Sequence, residues 1–169
     1  MRNRRKLVSA AREAFANQGH DVPLDEIARQ AGVGATTLYR HFPVKDDLIE
    51  AVLDDLVGTL QDNADHAALI DDPLQAFRAA FTRSCDMSQR DIATFASLAK
   101  ASPRADTYAQ RLIVDAVGPA TRRLRDAGGL RAGIDVAEIA AFIRMAITAL
   151  DGDNLTKAIA VIIDGVTIV

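Results

Sequence analysis

Residues 24–42 read Leu24-Asp25-Glu26-Ile27-Ala28-Arg29-Gln30-Ala31-Gly32-Val33-Gly34-Ala35-Thr36-Thr37-Leu38-Tyr39-Arg40-His41-Phe42. Leu24, Ile27, Ala28 and Ala31 recur at i, i+3, i+4 and i+7, the spacing of one buried helical face. Asp25 and Glu26 lie in the first turn, where the helix dipole favours acids. Pro23 suits that first turn, because its missing N–H would be unpaired anyway. The spacing predicts a helix over about 24–31, then a tight break through Gly32 and Gly34 with Val33 as an apolar plug. A second short helix follows over about 35–42. Leu38 and Phe42, four apart, face inward, which leaves Thr36, Thr37, Tyr39, Arg40 and His41 outward or at the flank. Pro43 ends it. Two short helices joined by a glycine-containing turn make a helix-turn-helix.

The pattern on either side is also helical. Leu7, Ala11, Ala14 and Phe15 share a face over about 3–17, and Gly19 suits a stop. A fourth helix starts near Val44 or Lys45 and carries Leu48, Ile49, Val52, Leu53, Leu56, Val57 and Leu60. Asn63–Asp72 reads as a polar connection. Pro73 opens a helix with Phe77 and Phe81, Ser88–Asp91 reads as a break, and a further helix carries Ile92 and Phe95. Ser102-Pro103 opens a longer one that ends at Ala127-Gly128-Gly129, with Gly118-Pro119 as the place for a kink. Two last helices over about 135–150 and 154–166 flank Asp151-Gly152-Asp153. No strand pattern occurs. The expected fold is all-α with about nine helices, divided into a helix-turn-helix domain over 1–45 and a helical domain over 46–169.

The second short helix has the make-up of a DNA-reading element. Its apolar inner edge fixes it, and its polar outer edge can enter a major groove. Thr36 and Thr37 are short and permit close approach. The Tyr39 hydroxyl can donate to a phosphate, Arg40 can reach a base edge or a phosphate, and Lys45 opens the next helix with both charge and dipole. Arg2, Arg4, Arg5 and Lys6 form a basic arm, with Arg4 and Arg5 placed for phosphate or minor-groove contact. The net charge of −3 is unevenly spread. Residues 1–50 hold eight Lys/Arg and seven Asp/Glu, against twelve and sixteen in the rest. Local potential, not net charge, governs phosphate contact.

The run from Leu24 to Phe42, followed by Pro43-Val44-Lys45, resembles the signature of the tetracycline-repressor (TetR) family. Ile27-Ala28, Ala31-Gly32-Val33, Thr37-Leu38-Tyr39, His41-Phe42 and Lys45 carry the likeness, and Ala10–Ala16 with Gly19 is similar to the family's first helix. The resemblance covers about residues 3–57. It implies that Thr37, Tyr39, His41 and Lys45 touch DNA and that Thr36 and Arg40 read sequence. Pro23 stands where the family often has a Ser or Thr cap, and Asp25 where it often has a base. Gly34 and Ala35 replace common polar residues.

The last two helices are apolar nearly all round, so each must be buried on more than one side. The resemblance implies that they pair with their twofold mates as a four-helix bundle, with Ile139, Phe142, Ile143, Ala146, Ile159, Ilе162 and Ile163 as the expected contacts. A homodimer of this kind would bind a pseudo-palindromic operator on double-stranded DNA. The resemblance also places an effector pocket in the middle helices, with Phe77, Phe81, Met87, Phe95, Tyr108 and Leu112 as candidates. The implied effector is a small apolar or amphipathic molecule, and the implied function is ligand-released repression.

Composition narrows the other classes. Hydrophobic residues make up 49% and charged residues 25%, the balance of a globular chain. Cys85 is the single cysteine and cannot form an internal disulfide. No run of about 18 apolar residues is present, so no membrane span is expected. The charged start lacks a signal peptide's apolar stretch, and a cytoplasmic protein is expected. Three histidines, no metal-ligand spacing and no phosphate loop leave little catalytic material, and no enzyme, metal or cofactor is expected. Asp54-Asp55 and Asp71-Asp72 are sequence neighbours that point in different directions on a helix. The alternative is a helical dimeric interaction module without specific DNA binding.

Overall fold

A computed structural model describes residues 2–149 and 152–168, the side chains at 59–64, 152 and 153 excepted. The expected turn at Asp151, and Leu60, Leu150 and Val169 of the apolar runs, lie outside the described residues. Among those described the chain is all-helical: α1 (Arg2–Gln18), α2 (Leu24–Gln30), α3 (Ala35–His41), α4 (Lys45–Ala68), α5 (Pro73–Ser84), α6 (Gln89–Ala99), α7 (Pro103–Asp126), α8 (Val136–Ala149) and α9 (Gly152–Val166). One isolated antiparallel bridge, Leu130 to Thr167, is the sole extended pairing among them. Among the described residues no helix is long and apolar enough to cross a membrane.

The helices form two compact units, one of residues 1–57 and 90–109, the other of 58–89 and 110–169. In the first, α1, α2 and α3 close over Leu7, Ala11, Phe15, Ile27, Leu38 and Phe42, all buried. Leu48, Ile49, Val52 and Leu53 of α4 are likewise buried, as are Ile92, Phe95 and Leu98 of α6. Ion pairs join elements distant in sequence. Arg12 of α1 reaches Asp55 of α4 at 2.8 Å and Asp91 of α6 at 2.7 Å. Burial opposes the Arg12 charge, but the two carboxylates outweigh it and raise its pKa. Arg90 donates to Glu13 at 2.8 Å and Asn17 at 3.0 Å. Arg104 grips Glu50 through two nitrogens, at 2.7 and 3.0 Å, and Asp47 at 2.8 Å.

In the second unit Phe77 and Phe81 are fully buried, with ring centroids 6.0 Å apart in a tilted pair. Ala67, Ala80 and Ala120 form a buried cluster whose small side chains let helices approach closely. The structure corrects the connection expected over Asn63–Asp72, because α4 continues to Ala68. Ala67 anchors this last stretch by burial, and Arg123 donates to the carbonyls of Ala67, Ile70 and Asp71 at 3.4, 2.9 and 3.0 Å. Carbonyls that a helix end leaves open thereby gain partners. The break expected at Ser88–Asp91 falls earlier, between Ser84 and Gln89. Helix α7 runs on through Pro119. Asp72 caps α5, accepting from the Gln75 N–H at 2.8 Å, with Pro73 in the first turn.

The turn between α2 and α3 rests on one glycine. Gly32 has φ +63°, its N–H donates to the Arg29 carbonyl at 3.1 Å, and the Val33 N–H donates to the Ala28 carbonyl at 3.0 Å. This is the left-handed helix stop in which two successive N–H groups close the last turn. Gly34 has φ −66°, which any residue adopts, and an added Cβ at either glycine meets nothing within 4 Å. Gly32→Ala is therefore expected to lose about 1–2 kcal/mol from backbone strain alone. Gly34→Ala should change stability by less than about 1 kcal/mol, because the gain through the unfolded chain is offset by the poorer fit of alanine at a helix N-cap. Urea unfolding of the two variants checks the contrast. Equal stabilities would contradict the assigned turn.

Candidate nucleic-acid interface

Helix α3 is fixed by its inner edge. Leu38 is completely buried and Phe42 is 2% exposed. The Thr37 and Leu38 N–H groups donate to the Gly34 carbonyl at 2.9 and 3.1 Å, starting the helix without a side-chain cap. The opposite edge is open. Thr36, Tyr39 and Arg40 are exposed, while Thr37, His41 and Lys45 are half-buried. Tyr39 shows 45% of its surface, high for so large a ring.

Helix α2 braces this edge. Pro23 sits at the cap itself, one position before the expected first turn, with an extended backbone and no side-chain cap. Its carbonyl accepts from the Glu26 and Ile27 N–H groups at 3.1 and 3.3 Å. Glu26 accepts from Arg29 and, at 2.9 Å, from Gln30. The Arg29 hydrogen bond first, then that of Gln30, lowers the Glu26 pKa. The Tyr39 hydroxyl donates to Asp25 Oδ1 at 3.4 Å, which ties the ring tip to α2.

The basic arm belongs to the same unit. Arg4 and Arg5 are exposed on the first turns of α1. The Arg4 guanidinium lies 5.5 Å from the centre of the Phe42 ring, within cation–π range. Arg4 is thus placed beside the end of α3. A shallow groove of 640 Å3 between α1 and α2 is lined by Arg5, Lys6, Ser9 and Gln30 among others. All eight residues expected to contact DNA lie in the first unit, on α1, α3 and the start of α4.

Residues 7–52 match the family model of bacterial regulatory proteins, tetR family. The helix-turn-helix stretch thus matches the TetR family. The chain is 38% identical over 90 residues to the HTH-type transcriptional activator FasR of Mycolicibacterium smegmatis, an alignment covering 52% of this chain and 41% of FasR. It spans less than half the length of the curated relatives it matches. A TetR transcriptional regulator from Streptomyces coelicolor superposes with a TM-score of 0.60 at 26% identity, over 97% of this chain and 98% of that one. SmeT, the repressor of the Stenotrophomonas maltophilia multidrug efflux pump SmeDEF, has the same fold, with a TM-score of 0.71 at 20% identity over 98% and 90% of the two chains. SmeT has also been solved in complex with triclosan.

The other candidate residues are more scattered. Phe95 and Tyr108 belong to the first unit, and Phe77, Phe81, Met87 and Leu112 to the second. Phe77, Phe81 and Phe95 are buried core, and Tyr108 donates to Asp54 at 2.8 Å. Of the six, Met87 alone lines a cleft of 310 Å3 in the second unit. On α8 and α9, Ile139, Ile143, Ala146 and Ile163 are buried within the chain. Phe142, Ile159 and Ile162 are partly exposed, and Met145 and Val161 are exposed. A helix apolar all round does not reveal in its sequence that Met145 and Val161 are the exposed members.

Proposed function

We propose that the protein is a ligand-responsive transcription regulator that binds a pseudo-palindromic operator as a homodimer and represses until a small effector releases it. The observation that carries this is α3, with Leu38 and Phe42 locked inward and Thr36, Tyr39 and Arg40 presented outward. In this reading Arg40 and Thr36 meet base edges, and Thr37, Tyr39, His41 and Lys45 meet the backbone. Arg4 and Arg5 add phosphate or minor-groove contact from the arm. The Tyr39 hydroxyl exchanges Asp25 for a phosphate oxygen on binding. Repression is the mode named for SmeT and activation that named for FasR. A promoter fusion with and without the gene decides between them.

The open apolar face of α8 and α9 supports the dimer. Met145 is 54% exposed with the half-buried Phe142 on the same helix, and on α9 Val161 is 71% exposed while Ile159 and Ile162 are half-buried. Pairing two such faces removes apolar surface from water, and a twofold dimer matches an operator whose half-sites lie about one DNA turn apart. The Met145→Glu, Val161→Glu variant should sediment as a monomer where the parent is a dimer, with its dimer dissociation constant raised at least about tenfold. A variant that stays dimeric would place the interface elsewhere.

Selection of genomic fragments on the immobilised protein tests the whole reading. The expected product is a twofold-symmetric sequence with half-sites centred about 10 base pairs apart, or a multiple of that. Recovery of fragments without a shared sequence would favour the helical interaction module instead.

A further inference from the structure

The 310 Å3 cleft lies between the C-terminal end of α5, the turn after it, and α9. Its floor is apolar and sulfur-rich, formed by Cys85, Met87, Leu155 and Ile159. Cys85 is 3% and Leu155 8% exposed, so these walls are seated in the unit and do not belong to a loose surface. Burial pushes the Cys85 thiol up to about 12, and the floor therefore carries no charge at neutral pH. The rim carries one charge of each sign, Arg83, which also holds a contact within the chain, and Asp86, with the polar Gln89 and Thr156 beside them. The neighbouring Ser84 does not compete for the cleft, since its hydroxyl donates to the Ala80 carbonyl at 2.8 Å within α5.

These features select a ligand chemistry. The volume falls at the small end of the range typical of small-molecule sites, about 300–1,000 Å3. A charged ligand would gain from one rim residue and lose to the other. A neutral head with both a donor and an acceptor can use both. Thioether and thiol sulfur make favourable contacts with aromatic rings, which favours an aromatic body over an aliphatic one.

We propose that this cleft binds a small neutral aromatic amphiphile, its ring on Cys85, Met87, Leu155 and Ile159 and a hydroxyl-type head between Arg83 and Asp86. Leu155 and Ile159 belong to α9, so an occupant of the cleft touches the helix assigned to subunit pairing. The regulatory meaning of the site rests on the effector-released reading above, whereas binding itself is measured without DNA.

The probe is 4-propylphenol, titrated calorimetrically into the 169-residue chain beside propylbenzene, which lacks the head. A dissociation constant below about 1 mM is expected for the phenol, with propylbenzene at least about tenfold weaker. The chain has no tryptophan. Thr82 is an exposed rim residue, so Thr82→Trp should cover the mouth, weaken the phenol at least about tenfold and supply a unique fluorophore. Should that variant fail to fold, the methionine-methyl NMR spectrum of the parent gives the same answer, because the Met87 methyl must shift as 4-propylphenol saturates. No binding, undiminished binding to folded Thr82→Trp, or an unmoved Met87 methyl overturns the site. None of these results bears on DNA binding, and a failed DNA selection leaves the calorimetric result standing.

Discussion

Arg40→Ala is expected to weaken binding to a selected operator by about 1–3 kcal/mol, roughly 5- to 150-fold, and to relax preference at one base position per half-site. Arg40 is exposed on the outer edge of α3, and no ion pair holds it among the described contacts. Its removal should therefore leave helicity and melting temperature unchanged. That separation is informative, because a structural role would move stability first. Lys45→Ala should weaken binding to all sequences about equally, as a phosphate contact does, and reduce the salt dependence by about one ion. Fluorescence anisotropy on the selected duplex and a scrambled one reads both effects. Unchanged affinity in Arg40→Ala would remove α3 from the interface.

Phe42→Ala is expected to have the largest effect on stability, about 3–5 kcal/mol. Phe42 is 2% exposed at the end of α3 and holds that helix with Leu38. Truncation removes a large ring from a core that cannot fully collapse around the gap. The Arg4 contact over the ring disappears with it, for up to about another 1 kcal/mol at an exposed site. Whole domains are stable by only about 5–15 kcal/mol, so the loss is a large share. Urea unfolding measures it, and Phe42→Leu should recover much of the loss. A cost below about 1 kcal/mol would mean that α3 is held by other contacts.

Much of the helix-turn-helix is legible in the sequence because its signals are local. Glycine at 19 and 32, proline at 43 and the inward pair Leu38 and Phe42 fix short elements whose neighbours in sequence are neighbours in space. Long-range partners leave no such trace. The segment 90–109 joins the first unit through Arg90 to Glu13 and Arg104 to Glu50 and Asp47, pairs that no periodicity announces. The last stretch of α4 is polar enough to read as a connection. It is helical because Ala67 is buried and Arg123 satisfies the carbonyls that follow. On α8 and α9, an apolar residue is equally consistent with the core and with an interface. Burial separates Ile139 and Ile163 from Met145 and Val161.

The central claim is that α3 reads DNA sequence, and a salt titration tests it most directly. The affinity of the purified protein for its selected duplex and for a scrambled duplex is measured at several salt concentrations. The account predicts tight binding to the selected duplex alone, falling with a log–log slope of about −4 or steeper, as expected from neutralising roughly five phosphates or more. Equal affinity for the two duplexes at every salt concentration would contradict it.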